Sequence, residues 1–139
     1  MIKIAQTDEE IRNCYPVMAE LRPHFTHEDE FLKQVKRQMK NDGFELVFLN
    51  DDGIKAVAGI RLGEWLARGK YLEIEDLASR SDERSKGYGG ELFDWIKDYA
   101  QSENCREIKL VSHVARYRAH KFYLQKGMII DAHFFSRQL

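Results

Sequence analysis

A short glycine-rich stretch is the part of the sequence best suited to chemistry. It spans residues 84–90 and reads Arg84-Ser85-Lys86-Gly87-Tyr88-Gly89-Gly90. It lies between a predicted strand and a predicted helix, where glycines leave backbone N–H groups accessible and let a ligand approach closely. The helix dipole adds partial positive charge there, and Arg84 and Lys86 add full charges. The pattern predicts a phosphate or pyrophosphate site at a helix start.

The glycine spacing excludes two familiar nucleotide-binding loops. A Walker loop requires GxxxxGK followed by Ser or Thr, and the stretch lacks that sequence. A Rossmann fingerprint requires GxGxxG. Counted from Gly87 and Gly89, the position of its third glycine holds Leu92, which Phe93 follows. A glycine-rich turn that only caps a helix remains the alternative interpretation.

Hydrophobic periodicity and capping signals predict the elements around this loop. Thr7 and Glu10 form a capping box that opens the first helix, and Pro16 should kink or restart that helix. Asn50-Asp51-Asp52-Gly53 predicts a hairpin turn, and Gly127 is expected just after the last helix. The later helices are predicted over residues 27–40, 86–102 and 116–126. The strands are predicted over residues 2–6, 44–49, 54–62, 71–79, 107–111, 128–130 and 133–136.

This element order predicts the fold class. Antiparallel hairpins come first and a β-α-β crossover follows, which indicates an α/β (α+β) fold. We expect a mixed, mostly antiparallel sheet flanked by helices on both faces. The chain has 139 residues, without a repeat or a linker, so one domain over residues 1–139 is expected.

Composition narrows the classes of function. Apolar residues make up 43% and charged residues 32% of the chain, and the net charge of -1 argues against bulk positive charge for nucleic acid or anionic membrane. No apolar run approaches a membrane span, and the N-terminus lacks the apolar core of a signal peptide. Cys14 and Cys105 form no metal-type pair. We expect a cytoplasmic protein with reduced thiols and no metal.

Two segments together resemble the GCN5-related N-acetyltransferase (GNAT) superfamily. Arg84, Gly87 and Gly89 match its Arg/Gln-x-x-Gly-x-Gly/Ala loop. Residues 119–128 match its A-x-x-F/Y-Y-x-x-x-G-F segment, with Met128 in place of the final Phe. Arg116 stands where the family often has an Asn that contacts pantetheine. The element order agrees from residue 2 to the end, so the resemblance covers essentially the whole chain.

The resemblance implies acetyl-CoA as cosubstrate. Its pyrophosphate would lie on the N–H groups of residues 85–90, beside Arg84. Its pantetheine arm would pair like an added strand with the backbone of Leu77, Ala78 and Ser79. The acetyl carbonyl would point to an N–H near Leu77 or Ala78. Four basic residues lie on the predicted last helix: Arg116, Arg118, Lys121 and Lys126. One of them binds the 3′-phosphate of CoA, or all four form a solvated helix face.

The resemblance also implies two catalytic residues. Tyr123 matches the family tyrosine that protonates the leaving thiolate, and a phenol stays protonated at neutral pH. Glu73 stands at the offset from Arg84 at which the histone-acetylating branch carries its general base. Glu75 shares its strand face by period two and is the second candidate. His113 and His120 are weaker candidates, since a lone His is more often structural.

These implications lead to an N-acetyltransferase as the main hypothesis. Acetyl-CoA would donate its acetyl group to a primary amine by direct attack in a ternary complex, with a small molecule as acceptor. A protein or peptide acceptor, and a non-catalytic acyl-CoA-binding module, remain alternatives because a fold does not fix a function. Neither nucleic acid nor membrane is expected as a partner, and a homodimer stays open.

Overall fold

The computed structural model describes residues 1–41 and 43–139. The chain forms two compact units, residues 1–109 and residues 110–139. The elements, in chain order, are β1 (Ile2–Ile4), α1 (Asp8–Leu21), α2 (Glu28–Asn41), β2 (Phe44–Asn50), β3 (Ile54–Trp65), β4 (Gly69–Ser79), a 3-10 turn (Ser81–Glu83), α3 (Tyr88–Ser102), β5 (Glu107–Leu110) and α4 (Tyr117–Gln125).

The first unit is built on a five-stranded sheet in the order β1-β2-β3-β4-β5. The pairs β1–β2, β2–β3 and β3–β4 are antiparallel, as predicted. The β2–β3 turn is the predicted one: Asp52 and Gly53 have φ values of 52° and 108°, and Asn50 Oδ1 accepts from the Gly53 N–H at 2.9 Å. Positive φ at both residues is what a tight hairpin turn requires.

Helices α1 and α2 cover one face of the sheet. Ile11 and Cys14 of α1 and Phe31 of α2 pack with Leu46 and Val57 of the sheet in one buried cluster. The capping box at the start of α1 is confirmed, with the Glu10 N–H donating to Thr7 Oγ1 at 3.2 Å. Pro16 lies inside this continuous helix, so the helix does not restart there.

Helix α3 covers the opposite face, as the predicted fold class requires. Its buried residues Leu92, Phe93, Ile96 and Ala100 recur at helical spacing, and the helix packs on β2, β3 and β4. The Tyr99 hydroxyl donates to the Glu45 carboxylate at 2.9 Å and so ties this helix to β2. Helix α3 is therefore held against the sheet by its apolar face and by this hydrogen bond near its C-terminal end.

The second unit contains α4 and the C-terminal residues. Gly127 has φ of 87° and follows the helix as predicted; the Met128 N–H donates to the Tyr123 carbonyl and the Gly127 N–H to the Leu124 carbonyl, both at 3.1 Å. This is a complete Schellman motif. The two predicted closing strands, over residues 128–130 and 133–136, are wrong, since these residues form no strand. Their apolar side chains favour a strand only when a neighbouring strand pairs with them.

Both cysteines are free thiols. Cys14 lies on the buried face of α1, and burial raises the pKa of its thiol to about 12. Cys105 is partly exposed, and its thiol pKa is also raised, mainly by burial. Within the two described ranges, no helix has the length and apolar character needed to cross a membrane.

Candidate active site

The glycine-rich loop leads directly into the first turn of α3. Gly87 is the N-cap residue, with φ of 86°, and it has no side chain to cap the helix. The first intrahelical bond runs from the Glu91 N–H to the Gly87 carbonyl at 2.9 Å, so the N–H groups of residues 88–90 precede it. Ser85 also has a positive φ, of 71°, a strained conformation typical of functional loops. The loop thus presents backbone donors at a positive helix end.

Among the described residues, some charged side chains around this loop form ion pairs with other residues, and Arg84 does not. Lys86 forms an ion pair with Glu83, which also contacts Lys55 Nζ at 3.0 Å. Lys86 and then Lys55 lower the pKa of the Glu83 carboxyl through these hydrogen bonds. Arg84 is exposed and, over the part of the chain that the structure describes, makes no ion pair. Arg84 is therefore the cation that an incoming phosphate can engage without displacing a carboxylate.

The predicted pantetheine-binding residues form the last part of β4. Leu77, Ala78 and Ser79 pair with β3 along one edge, opposite residues 58, 57 and 56. On the other side, β5 has only four residues; the Arg106 N–H, just before it, donates to the Lys70 carbonyl at the start of β4. Residues 77–79 therefore extend past β5. A Cβ at Gly89 would lie 3.9 Å from Ser79 Oγ, so the end of β4 adjoins the first turn of α3.

A β-bulge interrupts β4 just before these residues. Ile74 lies opposite Ile60 and Asp76 opposite Gly59, so Glu75 has no partner of its own on β3. The bulge breaks the period-two alternation of side chains, so alternation no longer places Glu73 and Glu75 on one face of the sheet.

Basic side chains hold the bulge in place. Arg61 contacts the Glu75 carboxylate at 2.6 and 3.2 Å, and Arg22 donates to the Glu75 carbonyl at 2.9 Å. Arg22 also donates to Asp76 Oδ1 at 2.8 Å. The Asp76 carboxylate, which Arg22 contacts, lies over Gly59. A Cβ at position 59 would come within 2.4 Å of Asp76 Oδ2. No local sequence pattern distinguishes Asp76 or the two arginines from other charged residues.

We expect Arg22→Gln to make stability more dependent on pH. Burial raises the pKa of the Asp76 carboxyl, and the Arg22 hydrogen bond opposes that rise. A carboxyl whose pKa is higher in the folded state lowers the free energy of unfolding as pH increases through that pKa. Loss of Arg22 raises the pKa of the folded Asp76 carboxyl further, so the free energy of unfolding falls more steeply as pH increases. Urea unfolding from about pH 4 to pH 8 measures it. In an Asp76→Asn background the arginine change should have no pH-dependent effect; a pH-dependent effect there would contradict the assignment.

The candidate base Glu73 is held by a cation on a neighbouring strand. Lys109 Nζ on β5 lies 3.4 Å from its carboxylate, and both side chains are about three-quarters buried. Lys109 Nζ also lies over the rings of Trp65 and Tyr71. Sequence reasoning missed these three residues because no local pattern connects them; the sheet order brings them together.

The other predicted residues lie on and around α4. Tyr123 is partly buried and packs edge to face on the Phe122 ring, with centroids 5.3 Å apart. His113 Nδ1 accepts from the Ala115 N–H at 3.1 Å, and His120 Nε2 donates to the His113 carbonyl at 2.9 Å. Both histidines thus stabilise the turn before α4, which favours a structural role. Among residues 1–41 and 43–139, no group of three His, Cys, Asp or Glu could hold a metal ion.

Comparison with known proteins identifies the family. The sequence model of the acetyltransferase (GNAT) family matches residues 5–128, and the chain belongs to that family. The protein is therefore an acetyltransferase, from a family whose members use acetyl-CoA and act on an acceptor substrate.

Similar proteins match this chain over its full length. The uncharacterised N-acetyltransferase YhdJ of Bacillus subtilis strain 168 is 30% identical over 138 residues, covering 98% of this chain and 96% of its own. Two crystal structures share the fold. A transcriptional regulator from Bacillus halodurans C-125 has a TM-score of 0.87 at 21% identity, covering 100% of this chain and 99% of its own. A GNAT family acetyltransferase from Staphylococcus aureus USA300_TCH1516 has a TM-score of 0.83 at 20% identity, covering 100% and 98%.

Proposed function

We propose that the protein transfers the acetyl group of acetyl-CoA to the primary amine of a small molecule, by direct attack in a ternary complex. Residues 1–139 act as one N-acetyltransferase domain in this proposal. The observation that carries it is the left-handed Gly87 at the N-cap of α3, which leaves the helix start open to an anion beside the exposed Arg84. In the described part of the chain no side chain caps the helix, so the N–H groups of its first turn keep their capacity to bind an anion.

Acetyl-CoA would bind along β4 and the loop that follows it. The N–H groups of residues 85–90 and the Arg84 guanidinium would bind the pyrophosphate. The backbone of Leu77, Ala78 and Ser79 would pair with the pantetheine arm, which the shortness of β5 supports. An N–H near Leu77 or Ala78, just after the bulge, would stabilise the negative charge that develops on the acetyl oxygen.

The chemical step is a single acyl transfer. Glu73 takes a proton from the acceptor ammonium, and the amine nitrogen attacks the thioester carbon. The new C–N bond forms as the C–S bond breaks, and the CoA thiolate receives a proton from Tyr123. The nitrogen then gives up its second proton, which restores the Tyr123 hydroxyl and leaves a neutral amide. Carboxylate and phenol suit these opposite roles because their ordinary pKa values lie on either side of neutral pH.

A matched pair of substitutions at Gly87 tests the acetyl-CoA site. Asp and Asn have the same shape and tolerate a positive φ better than other residues with a side chain, so the backbone strain at Gly87 is alike in both, and a Cβ there meets nothing within 4 Å. Both variants should therefore fold. We expect Gly87→Asp to bind acetyl-CoA about tenfold more weakly than Gly87→Asn, because only Asp places a carboxylate against the pyrophosphate. Calorimetric titration measures both affinities, and equal affinities for both variants and the parent would show that the site lies elsewhere.

A further inference from the structure

Three side chains on β3 and β4 surround the ammonium group of Lys109. Lys109 Nζ lies 3.8 Å from the centroid of the Trp65 ring, 4.0 Å from that of Tyr71 and 3.4 Å from the Glu73 carboxylate. The two rings meet edge to face at 64°, with centroids 5.8 Å apart. We call Trp65, Tyr71 and Glu73 the ammonium cage. Two ring faces and one carboxylate are groups that attract a small organic cation.

The backbone around the ammonium cage is shaped to hold it. Tyr71 lies opposite Gly63 on β3, and a Cβ at Gly63 would come within 2.5 Å of the Tyr71 hydroxyl. The missing side chain at position 63 is therefore what lets the Tyr71 ring lie against β3. Trp65 is 40% exposed, and the side chains of Lys109 and Glu73 are 27% and 25% exposed, so the cage lies at the protein surface and not in the core. A small ammonium ion can reach it from there.

Lys109 is held in the cage in a way that allows exchange. Its distance of 3.4 Å from Glu73 exceeds the length of about 2.7–2.9 Å that is typical of a charge-assisted hydrogen bond. Cation–π contacts are broad in geometry, and a lysine side chain has four flexible carbons that let its ammonium move away. Another primary ammonium group could therefore replace that of Lys109 with the same contacts.

We propose, on the basis of the function proposed above, that the ammonium cage is the subsite for the amine of the acceptor. Lys109 occupies the cage until an acceptor ammonium displaces it. The substrate class is then an aliphatic primary amine in its cationic form, whose ammonium and adjoining methylene lie on the two ring faces. The subsite would deliver this ammonium to Glu73, the group proposed to take its proton. The solvent-exposed side of the cage admits the rest of the acceptor.

A titration with n-butylammonium tests the subsite without acetyl-CoA or turnover. The chain has two tryptophans, so the indole N–H signals of ¹⁵N-labelled protein report on Trp65, with Trp95 as internal reference. We expect the Trp65 signal to shift while that of Trp95 stays in place. Lys109→Met removes the competing ammonium and should tighten binding about tenfold, because the free cage is then fully populated. The uncharged n-butanol should shift neither signal.

Each outcome of this titration decides the subsite separately from the function. A Trp65 shift that appears with n-butylammonium and is lost in Gly63→Ala, which displaces the Tyr71 ring, supports the cage. The absence of a shift in both the parent and Lys109→Met, or an equal shift with n-butanol, would overturn it. If the protein transfers acetyl groups but does not bind n-butylammonium at the cage, the proposed function holds and the proposed subsite is wrong. If it binds n-butylammonium but shows no turnover, the subsite holds and the proposed function is wrong.

Discussion

Tyr123→Phe is expected to slow turnover by about 10²-fold or more, in the usual range for the loss of a general acid. The substitution keeps the ring and its packing on Phe122 and removes only the hydroxyl, the group proposed to protonate the CoA thiolate. Stability should change little because the side-chain volume is nearly conserved. Affinity for acetyl-CoA should also hold, since the thioester is only weakly polar before attack. Steady-state kinetics, calorimetry and thermal unfolding measure the three quantities.

Tyr117→Phe is the matched control for this substitution. Tyr117 begins the same helix and is 77% exposed, so the loss of its hydroxyl should leave turnover at the parent value. If Tyr123→Phe keeps the parent kcat, Tyr123 is not the acid. If it melts early and loses acetyl-CoA binding, its role is structural.

Glu73→Gln is expected to reduce kcat by about 10²-fold and to flatten the acidic limb of the pH–rate profile. In the parent, activity falls at low pH as the base becomes protonated, and glutamine has no such transition. The ion pair with Lys109 is lost as well, but glutamine keeps the shape of the side chain and its amide oxygen can still accept a hydrogen bond from Lys109, so the variant should still fold. Affinity for acetyl-CoA should stay near the parent value.

Glu75→Gln tests which of the two β4 carboxylates, Glu73 or Glu75, is the general base. Glu75 lies in the bulge with its carboxylate on Arg61, so its amide variant should keep the acidic limb. If the limb disappears in Glu75→Gln and persists in Glu73→Gln, the base is Glu75. If it persists in both, a water chain or His113 takes that role.

The fold of the first unit could be predicted because its signals are local. Thr7 and Glu10 mark the start of α1, the Asp-Gly turn joins β2 to β3, and the apolar spacing of α3 sets its buried face. Residues 128–136 show the limit of such signals. Their apolar composition favours strands, yet a strand forms only where another strand pairs with it, and that is a property of the folded chain.

The candidate site was predictable to a smaller extent, for the same physical reason. The glycines of the loop reveal their role locally, since Gly87 needs a positive φ and no side chain. The bulge at Glu75 has no sequence signature, and it changes which carboxylates face one another. The partner of Glu73 is Lys109, on a strand that adjoins β4 only after the chain has passed through α3. Contacts of this kind arise from strand order and cannot be read from spacing.

The central claim, acetyl transfer from acetyl-CoA to a primary amine, is tested most directly by following both products at once. The protein is incubated with acetyl-CoA and a panel of aliphatic amines, with a peptide bearing free amines included. Chromatography is preferable to a thiol reagent for measuring free CoA, because Cys105 is itself a partly exposed thiol. We predict that free CoA and acetylated small amine appear in equal amounts, at a rate proportional to protein concentration. If the protein binds acetyl-CoA but releases no CoA with any amine of the panel, acetyl transfer is contradicted. The protein would then be a non-catalytic acyl-CoA-binding module.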